Sequence, residues 1–461
     1  MNLARVERFF LDVPFRDEVA PWCTLLVRNW RLREVVKVTT DTGVVGWGEW
    51  ATRYTWQPVT DASVTASIGK SLFDLWHDDG IGAGLQMAVG DALGKSLGIP
   101  VWKLFGLPKV RDRAFLGWWC TKMPPELLAK EAKLAESKGY TAIKLKNRPW
   151  FDLDETMRQI SDATGPGFHI DADFNDMLLT ANQAAPVLQR LERFEKVALF
   201  EGPIPQRDVD GYRLLRQKIN RPIAAHFGLP DFRLAVDAVD GFVVDSGIRE
   251  TLRRGRLAEA FEKPFFLQMV GGGLMNAQMA HLAAVLPFAR WPAITCSNIW
   301  VDDLLVSPTK VSGGTIPVPE APGLGVEFNE SALERYRAEP GFEVPLPPQI
   351  LTVRWTDGSQ AHYPYMERPR IGVPHFSHAR LDSGDASSTG LWEDALRGNL
   401  PLFSHGVSLT VRDDDGTKEW ADLRARCSKS TSVGVALKQP VVEVTESNSY
   451  IDGSQLGDIV E

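Results

Sequence analysis

Ionisable side chains stand at the ends of successive apolar segments in this chain. Lys144 and Lys146 end one segment, Asp173 ends the next and Glu201 ends the one after that. Lys144 and Lys146 are two residues apart, so on a strand both side chains point to the same face. Mutual repulsion and burial lower the pKa of such lysines, and a neutral lysine can act as a base near pH 7. An isolated Lys-x-Lys is more often a surface pair, so its meaning depends on the carboxylates that follow.

Those carboxylates indicate a bound cation. Asp171 and Asn175 share the strand face of Asp173, and Glu201 ends the following segment. Carboxylates on neighbouring strand ends repel each other unless a cation bridges them. A divalent ion beside a neutral lysine suits removal of a proton α to a carboxylate, because the ion stabilises the enolate while the lysine takes the proton.

The apolar segments recur at an interval that fits one buried strand plus one helix. Seven of them begin between residues 141 and 291, at spacings of 19 to 29 residues, and residues 114–120 supply an eighth. Eight such units predict an α/β fold built on a TIM-type (β/α) barrel, in which catalytic groups lie at the carboxyl ends of the strands. We expect the barrel to span residues 114–322.

Both flanks of the barrel have a different pattern. Residues 1–113 predict a small α+β domain with strands at 27–40 and 43–50 and a helix at 85–97. Two of its loops are rich in aromatic residues and either close the barrel mouth or are ordinary surface loops. Residues 323–461 predict a return segment and an appended β-rich region, which holds four of the eight histidines: His362, His375, His378 and His405. A metal site at His375 and His378 is the less favoured alternative for that region.

Composition excludes several classes of protein. The chain has 461 residues, 44% of them apolar and 24% charged, which is typical of a globular protein with more than one domain. A net charge of -8 argues against nucleic-acid or anionic membrane surfaces. The four cysteines have no paired spacing, and residues 1–8 lack the apolar core of a signal peptide, so we expect a cytoplasmic protein. Residues 264–289 contain no charged side chain, but their glycines and amides predict a buried strand, loop and helix rather than a membrane span.

The ordered motifs resemble the enolase superfamily, in its branch of mandelate racemase and muconate lactonizing enzymes. The resemblance covers about residues 1–330 and rests on Lys144-x-Lys146, Asp173-x-Asn175, Phe200-Glu201-Gly202-Pro203 and Asp245. Residues 87–106 resemble the helix that closes the family's capping domain, and residues 322–326 resemble its return segment. The resemblance implies a modified (β/α)7β barrel with an N-terminal capping domain. It also implies Asp173 and Glu201 as metal ligands, Lys146 as the base, Lys144 as its electrostatic partner, and a symmetric homo-oligomer.

The chain departs from the family pattern at two positions, that of the third metal ligand and that of the second acid/base residue. His226 stands where a third carboxylate ligand is expected, and Gln268 stands where one branch has a catalytic histidine. Asp245 would orient that histidine and is therefore expected to lack its partner. The second lysine of the other branch is also missing after the sixth strand.

His226 has three interpretations. It is a third metal ligand, which we favour, a general acid or base, or a structural residue in a site that has lost its activity. An imidazole in place of a carboxylate removes one negative charge, so we expect Mg²⁺ with Mn²⁺ or Zn²⁺ as competitors.

The function that these residues favour is a metal-dependent lyase acting on a small-molecule carboxylate, most readily the dehydration of a sugar acid. The alternatives are an epimerase or cycloisomerase, and a catalytically reduced binding protein of the same fold. Further candidates to face the substrate are Asn175, Gln268, Asn298, Trp22, Arg53 and Tyr54.

Overall fold

The computed structural model describes residues 1–52, 58–228, 237–342, 344–345, 348–358, 360–364 and 403–430. Arg53, Tyr54, His375 and His378 therefore lie outside the described residues.

The N-terminal part is a three-stranded antiparallel sheet covered by helices. Its strands pair in the order β1–β2–β3 and are β1 (Leu3–Asp12), β2 (Leu32–Thr40) and β3 (Val45–Ala51). The helices are α1 (Ala20–Val27), α2 (Asp61–Ser67), α3 (Leu72–Leu75), α4 (Ala83–Leu97) and α5 (Val101–Leu104), with 3₁₀ turns at Arg28–Arg31 and Asp79–Ile81. The strand expected from residue 27 begins at Leu32, because a 3₁₀ turn occupies the residues before it.

Glycines allow α4 to lie directly on β3. A Cβ atom at Gly48 would stand 2.1 Å from the carbonyl oxygen of Gly84, and one at Gly46 would stand 2.2 Å from that of Ala88. No side chain fits at that separation, so the helix and the strand meet backbone to backbone. Gly98 then ends the helix at φ +67°, a left-handed conformation that glycine adopts without strain.

Seven parallel strands form the barrel, in the spatial order β5 to β11. With the flanking pair β4 and β12, the strands are β4 (Arg113–Phe115), β5 (Trp118–Cys120), β6 (Ala142–Lys146), β7 (His169–Asp173), β8 (Val197–Glu201), β9 (Ile223–His226), β10 (Gly241–Val244), β11 (Phe265–Leu267) and β12 (Thr315–Pro317). The predicted eighth strand appears only as backbone pairing at residues 293–294. Ile294 donates to the Leu267 carbonyl at 2.8 Å, and Gly117 donates to the Ala293 carbonyl at 2.9 Å. These bonds join both edges of the sheet, and the predicted TIM-type barrel is confirmed.

Helices alternate with the strands. They are α6 (Pro125–Ser137), α7 (Leu153–Ala163), α8 (Ala181–Leu191), α9 (Val209–Lys218), α10 (Ile248–Ala260) and α11 (Gly273–Val285), followed by a 3₁₀ turn at Ser297–Ile299 and by α12 (Ser331–Arg335). Asp152, Thr180 and Asp208 begin α7, α8 and α9 by accepting a backbone N–H at the first turn. Every residue of α11 is buried, as its uncharged sequence predicts. Across the described residues, no helix is long and apolar enough to cross a membrane.

A buried ion pair joins the N-terminal sheet to the barrel. Arg33 on β2 pairs with Glu49 on β3, and both side chains are fully buried. Glu49 also accepts the N–H groups of Gly272 and Met275 at 2.9 Å, at the start of α11. The loop after β11 is therefore held by the N-terminal sheet.

The described residues of the C-terminal part include a second antiparallel sheet, in agreement with the predicted β-rich region. Its strands pair in the order β14–β13–β15 and are β13 (Gln349–Arg354), β14 (Gln360–Pro364) and β15 (Ser408–Asp413), followed by α13 (Lys418–Ser430). His362 lies in this sheet, 2.8 Å from the Thr352 hydroxyl. The domain boundaries at residues 113 and 322 remain predictions.

Substituting Gly48 tests the backbone contact between β3 and α4. We expect Gly48→Ala to lower the free energy of unfolding by about 1–3 kcal/mol, because the added methyl group forces the helix away from the strand. Gly90→Ala is the matched control, since its Cβ meets nothing within 4 Å and alanine favours a helix. Urea unfolding measures both variants, and an unchanged Gly48→Ala midpoint would refute the contact.

Candidate active site

Strand register places three predicted residues in one row. Lys146 on β6 stands opposite Asp173 on β7, and Asp173 stands opposite Glu201 on β8. All three end parallel strands, so their side chains meet at the carboxyl edge of the barrel. Lys144 is two register pairs further back on the same strand face, opposite Asp171.

The ammonium groups of Lys144 and Lys146 contact the carboxylates of the row directly. The Lys144 ammonium lies 2.5 Å from Glu201 Oε2 and 3.4 Å from Asp173 Oδ2, and it also donates to Gln268 Oε1 at 2.5 Å. The Lys146 ammonium donates to Asp173 Oδ2 at 2.5 Å. The carboxylates are 1% exposed, so their charges are balanced by these lysines rather than by water.

The pKa values of the two lysines shift in opposite directions. Burial lowers the pKa of Lys146 below its ordinary value, and the nearby carboxylate of Asp173 only partly opposes this. Burial also acts on Lys144, but Glu201 and Asp173 outweigh it and raise its pKa. Lys146 is 13% exposed whereas Lys144 is fully buried. The residue with easier access to the neutral form is therefore also the one that a substrate can reach.

His226 lies between two carboxylates. Its Nε2 is 3.4 Å from Glu201 Oε1, and its Nδ1 is 3.5 Å from Asp245 Oδ2. Burial lowers the pKa of His226, but Asp245 and Glu201 outweigh it and raise the pKa to about 9. The expectation that Asp245 lacks a histidine was wrong, because His226 on the neighbouring strand β9 takes that place.

The chemical types of the donors at Asp173, Glu201 and His226 suit a divalent cation. Asp173 and Glu201 already contact one shared positive charge, that of Lys144. A carboxylate at Nδ1 of His226 is the usual way to orient an imidazole whose Nε2 binds a metal. The ligand atoms of Asp173, Glu201 and His226 are nevertheless not all within 4.8 Å of one another, so this ligand set remains a prediction.

Among the described residues, the group that does meet that spacing consists of Asp152, Asp154 and His405. Its carboxylates already have protein partners. Asp154 Oδ2 accepts from Arg190 at 2.6 Å, and Asp152 Oδ2 accepts the Gly406 N–H at 2.6 Å. These contacts identify the group as a junction between the barrel and the C-terminal part.

The remaining predicted residues occupy different surroundings. Asn175 donates its backbone N–H to Asp173 Oδ1 at 2.9 Å, and Gln268 contacts Lys144. Trp22 on α1 packs edge-on against Phe151, which lies in the segment after β6, and their ring centres are 6.0 Å apart. Asn298 exchanges two hydrogen bonds with the Trp119 backbone, so its amide fixes β5.

Arg148 is a site residue that the sequence reasoning missed. It is fully buried and donates to the Asn147 carbonyl at 2.8 Å and to Asn175 Oδ1 at 3.0 Å. Its charge also contributes to holding the pKa of Asp173 below its ordinary value, where Lys146 and Lys144 outweigh the effect of burial. The signal was present, since Arg148 comes two residues after Lys146 and directly before the apolar run 149–151.

Comparison with known proteins shows what the part of the chain around this row is similar to. Residues 127–332 match the "Enolase C-terminal domain-like" family. The chain is 29% identical over 291 residues to D-gluconate dehydratase of Thermoproteus tenax, covering 57% of each chain. It is 26% identical over 270 residues to arabinonate dehydratase of Saccharolobus solfataricus, covering 56% of this chain and 72% of that one. An N-succinylamino acid racemase of Thermus thermophilus is 29% identical over 267 residues, covering 54% of this chain and 69% of that one.

Solved structures share the fold. A mandelate racemase/muconate lactonizing family protein of Azoarcus sp. EbN1 superposes with a TM-score of 0.61 at 24% identity, covering 74% of this chain and 98% of that one. The muconate lactonizing enzyme of Pseudomonas putida gives a TM-score of 0.60 at 22% identity, covering 73% of this chain and 100% of that one. About a quarter of this chain therefore has no counterpart in these structures.

The contacts of His226 predict how stability depends on pH in chelator-treated protein. A folded pKa of about 9, above the ordinary 6.5, stabilises the fold fully below about pH 6.5, and this contribution disappears as the pH rises to about 9. The loss amounts to about 3 kcal/mol. Urea unfolding between pH 6 and 9.5 should show that loss in the wild type and not in His226→Gln. His405→Gln, at an exposed position, should keep the wild-type profile, and parallel profiles for wild type and His226→Gln would contradict the assignment.

Proposed function

We propose that the protein is a metal-dependent lyase that dehydrates a sugar acid, and the match of residues 127–332 to the enolase C-terminal domain-like family supports this proposal. The observation that carries the proposal is the row of Lys146, Asp173 and Glu201, with Lys144 behind it. Proton removal α to a carboxylate needs a base and a concentration of positive charge, and this row offers both. The dehydratase names of the relatives from Thermoproteus and Saccharolobus support a sugar acid as the substrate class.

Asp173, Glu201 and His226 are the residues that we propose to hold the metal, with Asp245 orienting the imidazole. Mg²⁺ suits the carboxylates, and Mn²⁺ or Zn²⁺ becomes competitive because one ligand is a nitrogen. When bound, such an ion neutralises negative charge that develops on the substrate carboxylate.

Lys146 is the proposed base. Its neutral amine takes the α-proton, and the electron pair of the broken C–H bond becomes part of an enolate. Lys144 keeps its proton, because Glu201 and Asp173 raise its pKa, and its charge stabilises that enolate. The β-hydroxyl group then leaves as water when the Lys146 ammonium returns the proton to it, so the base is regenerated and the product is an enol.

An epimerase or cycloisomerase is the second candidate. His226 beside Asp245 offers an acid/base pair on a different strand from Lys146, and a relative from Thermus is named as a racemase. We also propose that the protein forms a symmetric homo-oligomer. Light scattering tests this by comparing the mass in solution with the 51.2 kDa of one chain.

Replacing Lys146 tests the base. We expect Lys146→Met to lower kcat by at least about 10²–10⁴-fold, because no amine remains to accept the proton. With D-gluconate or another sugar acid in deuterated water, the wild type should form a keto acid with deuterium at the carbon that lost the hydroxyl, because the enol product takes up a solvent proton there, and the variant should form none. Lys133→Met, on the exposed face of α6, controls for loss of a lysine. Undiminished turnover in Lys146→Met would refute the mechanism, and racemised substrate would favour the epimerase.

A further inference from the structure

The C-terminal part contacts the barrel directly behind the candidate carboxylates. The Phe403 side chain is 4% exposed, and its ring lies edge-on to that of Phe174 at 5.9 Å. Phe174 follows Asp173 in the chain and packs at 6.2 Å on Phe200, which precedes Glu201. Three buried rings therefore connect the C-terminal part to the backbone of both proposed metal ligands.

Polar contacts hold the same segment in place. The Gly406 N–H donates to Asp152, the residue that caps α7, at 2.6 Å. Arg190 on α8 donates to the Phe403 carbonyl at 3.4 Å and to Asp154 Oδ2 at 2.6 Å. Residues 403–406 are thus attached to the two helices that follow β6 and β7.

The loop that Phe403 contacts has an unfavourable backbone. Asn175, Asp176 and Leu179 have φ values of 45°, 66° and 63°, and Phe403 itself has 51°. Asn and Asp tolerate this left-handed region, but it is disfavoured for Leu179 and Phe403 and persists there where surrounding contacts enforce it. The loop matters to the site because the Asn175 N–H donates to Asp173 Oδ1, and Asn175 Oδ1 accepts a hydrogen bond from Arg148.

We propose that Phe403 is a positioning residue for the active site. By packing on Phe174, it holds the loop at residues 174–179 in the conformation that aims Asp173 and Asn175 at Lys146 and Arg148. The match to the enolase C-terminal domain-like family ends at residue 332, so this contact is supplied by the part of the chain beyond that match. The effect on metal binding rests on the proposed function, whereas the effect on the loop does not.

Full-length Phe403→Ala tests the proposal with two measurements. Amide hydrogen exchange, read by mass spectrometry in chelator-treated protein, should become about tenfold faster in residues 174–179, because loss of a packed ring frees the loop. Titration with Mn²⁺ should show affinity weakened by about tenfold. Phe403→Leu, which restores most of the apolar volume, should recover most of both values.

Phe328→Ala is the matched control. Phe328 is 5% exposed and stacks on Trp47 of the N-terminal sheet at 4.5 Å, so its loss removes a comparable ring elsewhere. It should lower the melting temperature but leave loop exchange and Mn²⁺ affinity unchanged. Unaltered exchange in Phe403→Ala, or equal acceleration in the control, would overturn the proposal. If Phe403→Ala does not fold, Phe403→Leu decides: its amide exchange should be slightly faster than that of the wild type, and only in residues 174–179. A wild type that does not bind Mn²⁺ would refute the proposed function, while the exchange comparison would still decide the role of Phe403.

Discussion

The contact between the Lys144 ammonium and the carboxylates of Asp173 and Glu201 is the interaction on which the site depends. All three groups are buried, so water does little to screen them, and each carboxylate requires a positive partner. Removing one partner of a buried pair typically costs about 3–5 kcal/mol. This cost ties β6, β7 and β8 to a single register, and that register also brings Lys146 beside Asp173.

The two lysines have the same chemistry, but their different surroundings shift their pKa values in opposite directions. Lys144 stands between two carboxylates, so its positive charge is favoured. Burial and the neighbouring Lys144 ammonium lower the pKa of Lys146 despite its contact with Asp173, and its side chain is 13% exposed. One strand end therefore carries the proposed fixed cation and the proposed base, while the His226–Asp245 pair is a second titratable group on neighbouring strands.

Much of the barrel was predictable because buried strands and helices alternate with a regular period, and parallel strands bring their carboxyl ends together. Lys144, Lys146, Asp173 and Glu201 were predicted for that reason. The pairing of His226 with Asp245 was not, since it depends on how a ring turns across two strands. Residues 291–297 looked like a full strand, although only 293–294 pair with both sheet edges. The contact of Phe403 with Phe174 joins distant parts of the chain and has no local pattern that predicts it.

The metal site itself is the most direct test of the proposed chemistry. A crystal soaked with Mn²⁺ gives an anomalous-scattering peak at the ion, with the ligand atoms visible around it. The peak should lie between Asp173 and Glu201 with His226 Nε2 among its ligands, beside Lys146. A peak confined to Asp152, Asp154 and His405, or no peak at the barrel mouth at saturating Mn²⁺, would contradict the assignment of the site.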